Sequence, residues 1–562
     1  MAQLSFFKQL DSSFPANKGA VDGRKLRGGY YTPVDLACFL VKWGVRQDTQ
    51  RILEPSCGDG NFVVAILQHL HNHPTWTPEI VAVELQESEL QEAQTRAVSF
   101  GQNGTKIDWM HQDFFAAYHL LQKDGGYDLI MGNPPFIRFQ HFDEDSRNLA
   151  FGHLREVGYK PTKLANAWAA FVQLSIELLR ENGRLAMVLP AELLQVTYAG
   201  ELRTRLAKQF RHIVLIGFKQ LVFPEIQQEV VLLLAEGKWE GNGRTSDIHT
   251  IELANGAALL NLPNLDTAVA HEPAKHNRQG MKWTSLFLDE PAFAALDEAE
   301  QVVGLRKLGQ IAEVDVGIVT GRNKFFVLEE AERDALQAAP YTVPIIGRTA
   351  ALKTSRFTQA DFVDYTKQYP AYLLDLNGTS FASLPTPIQD YIQMGERENI
   401  HRGYKCRIRQ RWFDVPSIAI PDAFLFRQIH RYPLLTINEA GATSTDTIHR
   451  VRFKPEINRR LLASIFFNSL TLAWAEVCGR SYGGGVLELE PREAEELPIP
   501  YDAEIEIDVE KVEELLRNGR ALEALDYVDR IVLKDKFGFD AHLLKHIRCA
   551  WQQLRDRRIE RK

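Results

Sequence analysis

The first 240 residues predict an α/β fold, a Rossmann-like, mostly parallel sheet, followed by a mixed α+β domain and a helical tail. Three observations carry that expectation. Short β-branched apolar runs alternate with helical patterns as far as Gly237, the order that βαβ units require. A glycine-rich turn, Leu53-Glu54-Pro55-Ser56-Cys57-Gly58-Asp59-Gly60, follows the first apolar run and precedes the first helical one. Beyond Gly237 the alternation is lost.

Strands are expected at 51–53, 80–84, 127–131, 184–188, 212–217 and 230–235, with helices at 61–71 and 87–99 between them. The clearest helix spans 165–179, where Trp168, Phe171, Val172, Ser175 and Leu179 fall on one face at helical spacing; Asn182-Gly183 is expected to stop it. The polar stretch 238–244, with two glycines, reads as a linker. Shorter strands are expected at 315–319, 325–328, 434–437 and 449–453. The end is helical and charge-rich, with Val512, Leu515, Leu516, Ala521, Leu522 and Leu525 as a packing face. The expected organisation is an N-terminal arm (1–27), a catalytic domain (28–240), a second domain (241–505) and a helical tail (506–562).

Composition bounds the class. With 45% hydrophobic and 25% charged residues the chain can bury large cores. Its net charge of -8 means that any grip on a polyanion must come from local positive charge. Cys38, Cys57, Cys406, Cys478 and Cys549 form no C-x-x-C pair, so neither a zinc site nor a disulfide framework is expected, and no metal. Residues 1–23 lack the basic-then-apolar order of a signal peptide, and no run approaches the ~18–20 apolar residues of a membrane span. A soluble, cytoplasmic, prokaryotic protein with no membrane partner is expected, most simply a monomer.

The turn at 53–60 is not G-x-G-x-x-G and has no Lys-Ser/Thr, so phosphate binding is not its natural use. A small-residue loop beside the Glu54 carboxylate suits a cationic or zwitterionic ligand; an ordinary tight turn is the alternative. Glu84, closing Val81-Ala82-Val83-Glu84, stands where an acidic residue accepts ribose hydroxyls in nucleotide-binding units, or is a solvated strand-end carboxylate. Asp113, before Phe114-Phe115, has the same two readings, the first being a hydrogen bond to an adenine edge. The most specific signal is Asp128-Leu129-Ile130-Met131-Gly132-Asn133-Pro134-Pro135-Phe136. Two consecutive prolines fix the backbone and remove two donors, leaving the Asn133 side-chain oxygen and the Pro134 carbonyl as acceptors. Two rigid acceptors on an exocyclic amine favour a pyramidal nitrogen and stabilise the positive charge it gains on alkylation. Phe136 offers a flat face for an extruded base.

These motifs, in this order, resemble the gamma-class N6-adenine DNA methyltransferases with a TaqI-type C-terminal target recognition domain, type II restriction–modification methylases. The resemblance implies a Rossmann-like class I domain using S-adenosyl-L-methionine and releasing S-adenosyl-L-homocysteine. The front motif matches Gly28-Gly29-Tyr30-Tyr31-Thr32-Pro33, implying that Tyr30, Thr32 and Pro33 cover the methionine end of the cofactor. Glu54, Ser56, Cys57, Gly58, Glu84, Asp113, Phe114 and Asn133 complete the implied cofactor set. Asn133, Pro134, Pro135 and Phe136 are the implied catalytic loop, and Phe223, in Val222-Phe223-Pro224, the implied second base clamp. The loop has Pro-Ser-Cys where Pro-Ala-Cys is commoner, and the tetrad ends in Phe rather than Tyr. Asn-Pro-Pro-Phe also occurs in RNA guanine-N2 methyltransferases.

The second half supplies the local charge. His401 to Trp412 holds Arg402, Lys405, Arg407, Arg409 and Arg411 with no acid; basic residues alternating with aromatics suit a strand or ribbon on a phosphate backbone, while a solvated face is the bland reading. Segments 317–323, 343–348 and 482–488 resemble recurrent parts of the recognition halves of these enzymes, and 481–485 reads either as a close-approach loop near DNA or as a plain flexible loop. The function expected is site-specific adenine-N6 methylation of a flipped base in double-stranded DNA, beside a separate cognate restriction endonuclease. The alternatives are an amino-group methyltransferase of RNA or protein glutamine, cytosine-N4 methylation, and a single-chain restriction–modification enzyme or a silent DNA-binding subunit. A cytosine-C5 mechanism is disfavoured, because Cys57 lies in the cofactor turn.

Overall fold

The computed structural model describes residues 31–562 apart from 101–103, 124, 163–164, 224–228, 240–245, 263, 270–272, 279, 483 and 562. The expected arm (1–27), Gly28 to Tyr30, Pro224 and most of the 238–244 linker therefore lie outside the described residues. The chain forms two compact units: the first runs to Phe287 and also includes Tyr482, Gly484, Glu560 and Arg561, and the second holds Leu288–Ser481 and Gly485–Ile559.

The first unit is built on an eight-stranded sheet in the order β3-β2-β1-β4-β5-β7-β6-β8. Its strands are β1 (Arg51–Glu54), β2 (Glu79–Glu84), β3 (Ile107–His111), β4 (Tyr127–Gly132), β5 (Leu179–Pro190), β6 (Phe210–Phe218), β7 (Val230–Lys238) and β8 (Asp247–Leu253). The first five pair in parallel. β7 is inserted antiparallel between β5 and β6. β8 pairs in parallel with β6, which carries the sheet past residue 240. The helices that matter to the site are α1 (Val34–Gly44), α2 (Asn61–His71), α3 (Glu87–Phe100), α4 (Phe114–Lys123), α5 (Glu144–Glu156) and α6 (Ala167–Leu178). β1, β2, β4, β5 and β7 are near-continuous apolar runs because their interior residues are buried, as strands covered on both faces are. Leu36, Leu40 and Val41 of α1 and Phe62, Ile66 and Leu70 of α2 pack with Ile52, Leu129 and Val188 in one core.

Two local expectations are corrected. The 165–179 helix is not one-faced: Ala167–Leu178 is buried at every position but Glu177, the state of a helix apolar all round. Asn182-Gly183 does not stop it, since the helix ends at Leu178 and passes straight into β5. Asn182 has a φ of 60° and the register jumps there, Tyr127 pairing with Leu179 but Leu129 with Arg184, so the dipeptide makes a bulge.

The second unit contains a five-stranded sheet, in the order Ala312–Asp315, Ile448–Phe453, Ala423–Phe426, Leu435–Asn438, Arg356–Phe357, and a four-stranded one joining Val327–Leu328, Tyr372–Leu374, Thr342–Ile346 and Thr443–Ser444. The strand expected at 325–328 is a helical turn, Asn323–Phe326, followed by only Val327–Leu328 in extended form. That at 315–319 is displaced to Ala312–Asp315. Gly317 is required, since a Cβ there would lie 2.0 Å from the Thr445 carbonyl oxygen. The expected tail packing face holds at Val512, Leu515, Leu516 and Leu525, but Leu522 is 60% exposed.

The last long helix, Ala541–Ile559, packs on Ser469–Cys478 and Glu290–Glu300. Near its end the buried Arg558 forks onto Glu476, at 2.6 and 2.9 Å, and donates to the His430 carbonyl at 2.9 Å. It also donates to Gly485, whose missing Cβ lets it approach the Ile559 backbone; the close approach that is one reading of 481–485 is thus made to the chain's own helix. Removing one member of such a buried pair strands the other charge. Arg558→Ala is therefore expected to cost about 3–5 kcal/mol of urea stability, with much of the loss recovered when Glu476→Leu is paired with Arg558→Met. An unshifted urea midpoint in the single variant would show that the pair does not hold the helix.

Candidate active site

The site follows from strand order. β1 and β4 are neighbours, paired Ile52↔Leu129 and Leu53↔Ile130, yet the chain leaves β1 toward β2 and leaves β4 toward β5. Connections departing in opposite directions open a crevice at the carboxyl ends of the two strands. A cavity of about 390 Å³ lies there. It is lined by Thr32 from ahead of α1, Glu54 from the end of β1, Glu84 from β2, Asp113 after β3, and Asn133 and Pro135 after β4.

Each carboxylate is held differently. Glu84 accepts from the Gly58 and Gln86 backbone N–H groups at 2.9 and 2.8 Å, which fixes the glycine turn to the end of β2. Asp113 caps α4 through the Phe115 N–H at 2.6 Å and accepts from the Ser146 hydroxyl at 2.5 Å. Asp59 pairs with Arg96 at 2.5 Å, yet burial pushes its carboxyl up to about 6. Glu54 is 1% exposed, and its Oε2 has no hydrogen-bond partner among the described residues. Burial, then the nearby Asp59 and Glu84, push its carboxyl well above the usual range. A buried acceptor left without a donor is costly, and a ligand carrying positive charge and N–H donors would satisfy it. Burial, then Glu54 and Glu84, push the Cys57 thiol far up, so no thiolate nucleophile stands in this loop.

Gly58 and Gly60 have φ values of 51° and 85°, which favour glycine. A Cβ on Gly60 would also lie 2.8 Å from that of Ala93 in α3. The Asn-Pro-Pro-Phe segment leaves β4 directly beside this turn, and the Ser56 hydroxyl donates to the Asn133 carbonyl at 3.4 Å. Downstream, the Ala167 N–H donates to the Ile137 carbonyl at 2.9 Å, and the Asn166 amide oxygen accepts from the Phe139 N–H at 3.2 Å. Asn166 in turn donates to Glu192 at 2.9 Å. The exit of the catalytic segment is thus tied to the start of α6 and the end of β5.

Of the sequence-predicted residues, Thr32, Glu54, Ser56, Cys57, Gly58, Glu84, Asp113, Phe114, Asn133 and Pro135 line one cavity. Pro33, Pro134, Phe136 and Phe223 do not. Pro33 begins α1 and Pro134 is buried. Phe223, 7% exposed, lies in the main apolar core, with Phe136 packed against the same cluster. Tyr30 lies outside the described residues, while its neighbour Tyr31 reaches the cavity and donates to Glu89 at 2.8 Å. Sequence reasoning missed the far wall, formed by Ile137, Phe142, Ser146 and Phe171. Phe171 stacks on Phe114 at 4.9 Å. Only the tertiary path of 137–171 brings these residues in.

Residues 16–294 match the N-6 DNA Methylase family, and residues 280–533 match the C-terminal domain of the type II methyltransferase M.Eco57I. The chain belongs to the N-6 DNA methylase family. It is an adenine-specific DNA methyltransferase, and its first sheet is that of a Rossmann-like α/β fold. It is 26% identical over 490 residues to the type II methyltransferase M.AccI of Acinetobacter calcoaceticus, covering 84% of this chain and 85% of that one. Against M.XamI of Xanthomonas campestris pv. amaranthicola it is 22% identical over 492 residues, with the same coverage. The solved DrdV–DNA complex aligns with 81% of this chain and 54% of its own, at 12% identity and a TM-score of 0.47. Neither family match favours an RNA or protein acceptor.

The five cations of 401–412 fare unevenly. The segment is not a strand: it forms a 3-10 turn, Ile400–Arg402, and a helical turn, Tyr404–Arg407. Arg409 donates to the Val319 and Thr320 carbonyls at 3.1 and 2.6 Å. Arg411 pairs with Asp414 at 2.7 Å and donates to the Leu376 carbonyl at 3.1 Å. Both arginines serve the chain's own backbone; Arg402, Lys405 and Arg407 are exposed.

A raised carboxyl in the folded methylase means that the native state holds its proton more tightly than the unfolded chain. The stability gained is complete below the ordinary carboxylate value and is lost as pH rises through the folded one. Glu54, Asp59 and Glu84 all shift in this direction. The ligand-free protein is expected to melt at a lower temperature as pH rises from about 5 to about 8, and Glu54→Gln to flatten that fall and raise the midpoint at neutral pH. Parallel melting curves for parent and variant would contradict it.

Proposed function

We propose that this chain transfers the methyl group of S-adenosylmethionine to the N6 nitrogen of an adenine flipped out of duplex DNA, as the modification enzyme of a restriction–modification or related defence system. The observation that carries this reading is the cavity shared by Glu54, whose Oε2 has no hydrogen-bond partner among the described residues, and the Asn133 loop.

The residues present fit the cofactor. Glu54 would offset its positive methionine end, Glu84 would accept from its ribose while bound to Gly58 and Gln86, and Phe114 and Phe171 would wall its adenine. When bound, the cofactor supplies an electrophilic methyl group on a sulfonium. The chain's part is to present the acceptor nitrogen. Asn133 Oδ1 and the Pro134 carbonyl accept hydrogen bonds from the amino group, draw its lone pair out of ring conjugation and stabilise the charge that develops. The amine proton is then released to water. We assign the two faces of the extruded base to Phe136 and Phe223, which share one apolar cluster and do not themselves line the cavity.

The motif order supports the gamma class, with the unit beyond Leu288 as a TaqI-type recognition domain. A monomer acting in the bacterial cytoplasm beside a separate endonuclease fits this role. Among the described residues no single helix is long and apolar enough to cross a membrane.

Labelled cofactor and mixed-sequence duplex DNA test the reading, with the modified base mapped afterwards. Asn133→Ala is expected to lower kcat by about 10²–10³. Glu54→Gln is expected to weaken cofactor affinity at least about tenfold through loss of a charge-assisted contact. Label on cytosine, or full activity in Asn133→Ala, would overturn the reading.

A further inference from the structure

Two stretches of the second unit carry cations and no acid: residues 316–328, with Arg322 and Lys324, and residues 399–413, with Arg402, Lys405, Arg407, Arg409 and Arg411. They are far apart in sequence and packed together in the fold. Gly321, with a φ of 83°, sits so close to the helical turn that a Cβ would lie 2.9 Å from that of Lys405 and 3.4 Å from the Cys406 sulfur. Arg409 clamps the two stretches by donating to the Val319 and Thr320 carbonyls. Thr320 shapes the loop from within, its hydroxyl accepting from the Arg322 N–H at 3.1 Å and bonded to the Asn323 amide oxygen at 2.5 Å. Arg322 is near enough for its charge to act on the Cys406 thiol.

The consequence is a ridge on which Arg322, Lys324, Lys405 and Arg407 are all exposed. Among the described residues none of the four has a carboxylate partner, whereas Arg411, Arg452 and Arg356 are each paired with acids. Apolar side chains stand exposed among these cations: Tyr404 at 66%, Ile408 at 60% and Val319 at 37%. An acid-free cluster of cations interleaved with exposed aromatic and aliphatic groups is complementary to a duplex backbone, whose phosphates take the charges and whose sugars meet the apolar atoms.

We propose that the ridge formed by the Thr320–Lys324 loop and the Tyr404–Ile408 turn is a contact surface for the DNA phosphate backbone, with Arg322, Lys405 and Arg407 on phosphates and Arg409 as the positioning residue that holds the loop against the turn. This rests on the DNA-methylating reading above. It differs from the expectation drawn from the sequence, in which all five cations of 401–412 lay on a strand: Arg409 and Arg411 are withdrawn from DNA contact, and Arg322 is brought in from a segment some 80 residues earlier.

The test uses the full chain, a fluorescent mixed-sequence duplex and graded salt. Arg322→Gln, Lys405→Gln and Arg407→Gln are each expected to lower the slope of log affinity against log salt by about 0.9, the value for one lost phosphate contact. Each should raise KM for DNA severalfold while kcat at saturating DNA and cofactor affinity stay within about twofold. Arg520→Gln, which removes an exposed cation already paired with Glu523, should leave the slope unchanged. Arg409→Lys should keep more DNA affinity than Arg409→Ala, since a shorter donor still reaches toward the loop carbonyls. Salt slopes equal to the parent's in all three Gln variants, with melting temperatures also unchanged, would overturn the ridge. A parent that methylates no duplex while still binding cofactor would instead overturn the reading on which it rests.

Discussion

The pairing of β1 with β4 is the constraint on which the site depends. Ile52↔Leu129 and Leu53↔Ile130 bring two strands together that are separated in sequence by two βα units, and right-handed crossovers then carry the chain away in opposite directions. The turn after β1 and the turn after β4 emerge side by side, and the Ser56–Asn133 contact joins them. A one-residue slip in this register would turn every side chain to the opposite face of the sheet and carry the turns after β1 and β4 out of step. The apolar interior of β1 and β4 therefore fixes the distance between Glu54 and Asn133 as surely as any contact within the site.

Burial at the crevice has an uneven outcome that is itself informative. Glu84, Asp113 and Asp59 are desolvated but receive backbone N–H groups, a hydroxyl or Arg96 in return. Glu54, the most deeply buried, has an oxygen that receives nothing from the described residues. A fold selected only for stability would place an apolar residue there, because an unmatched buried carboxylate costs more than the hydrogen bonds around it can offset. Its retention locates where a ligand must bring positive charge, and links ligand affinity to ligand-free instability through one side chain.

Local signals in the sequence were sufficient for six of the eight strands of the sheet and for the near half of the cavity. β-branched runs marked β1, β2 and β4 to β7 but not the edge strands β3 and β8, and the Gly58 and Gly60 positions, both at positive φ, could be read from the turn. The far wall was not legible, because Phe142, Ser146 and Phe171 lie in segments whose pattern states only that they are helical or apolar. Asn182-Gly183 misled for a related reason: the same dipeptide ends a helix or makes a bulge, and the neighbouring β4 decides which. The basic run misled at side-chain level. Arg409 and Arg411 share charge, spacing and aromatic neighbours with Lys405 and Arg407, but loop carbonyls at 319, 320, 376 and 379 lay within their reach. No local pattern separates an arginine that neutralises a phosphate from one that satisfies a loop.

Net charge also acquires a meaning that it lacked as a sum. A chain of net charge -8 must bind a polyanion and, on the proposed reading, a cationic methyl donor. One surface cannot serve both, since carboxylates that attract the donor repel phosphates within a Debye length of about 8–10 Å. The described residues divide the task. Glu54, Asp59, Glu84 and Glu89 face one cavity in the first unit, while the acid-free stretches 316–328 and 399–413 gather in the second. What matters for each ligand is the potential where it docks, so the overall excess of acid is compatible with a DNA enzyme provided that the cations are concentrated and left unpaired. The exposed, acid-free Arg322–Lys405–Arg407 ridge meets that condition, and the paired arginines elsewhere in the same unit do not.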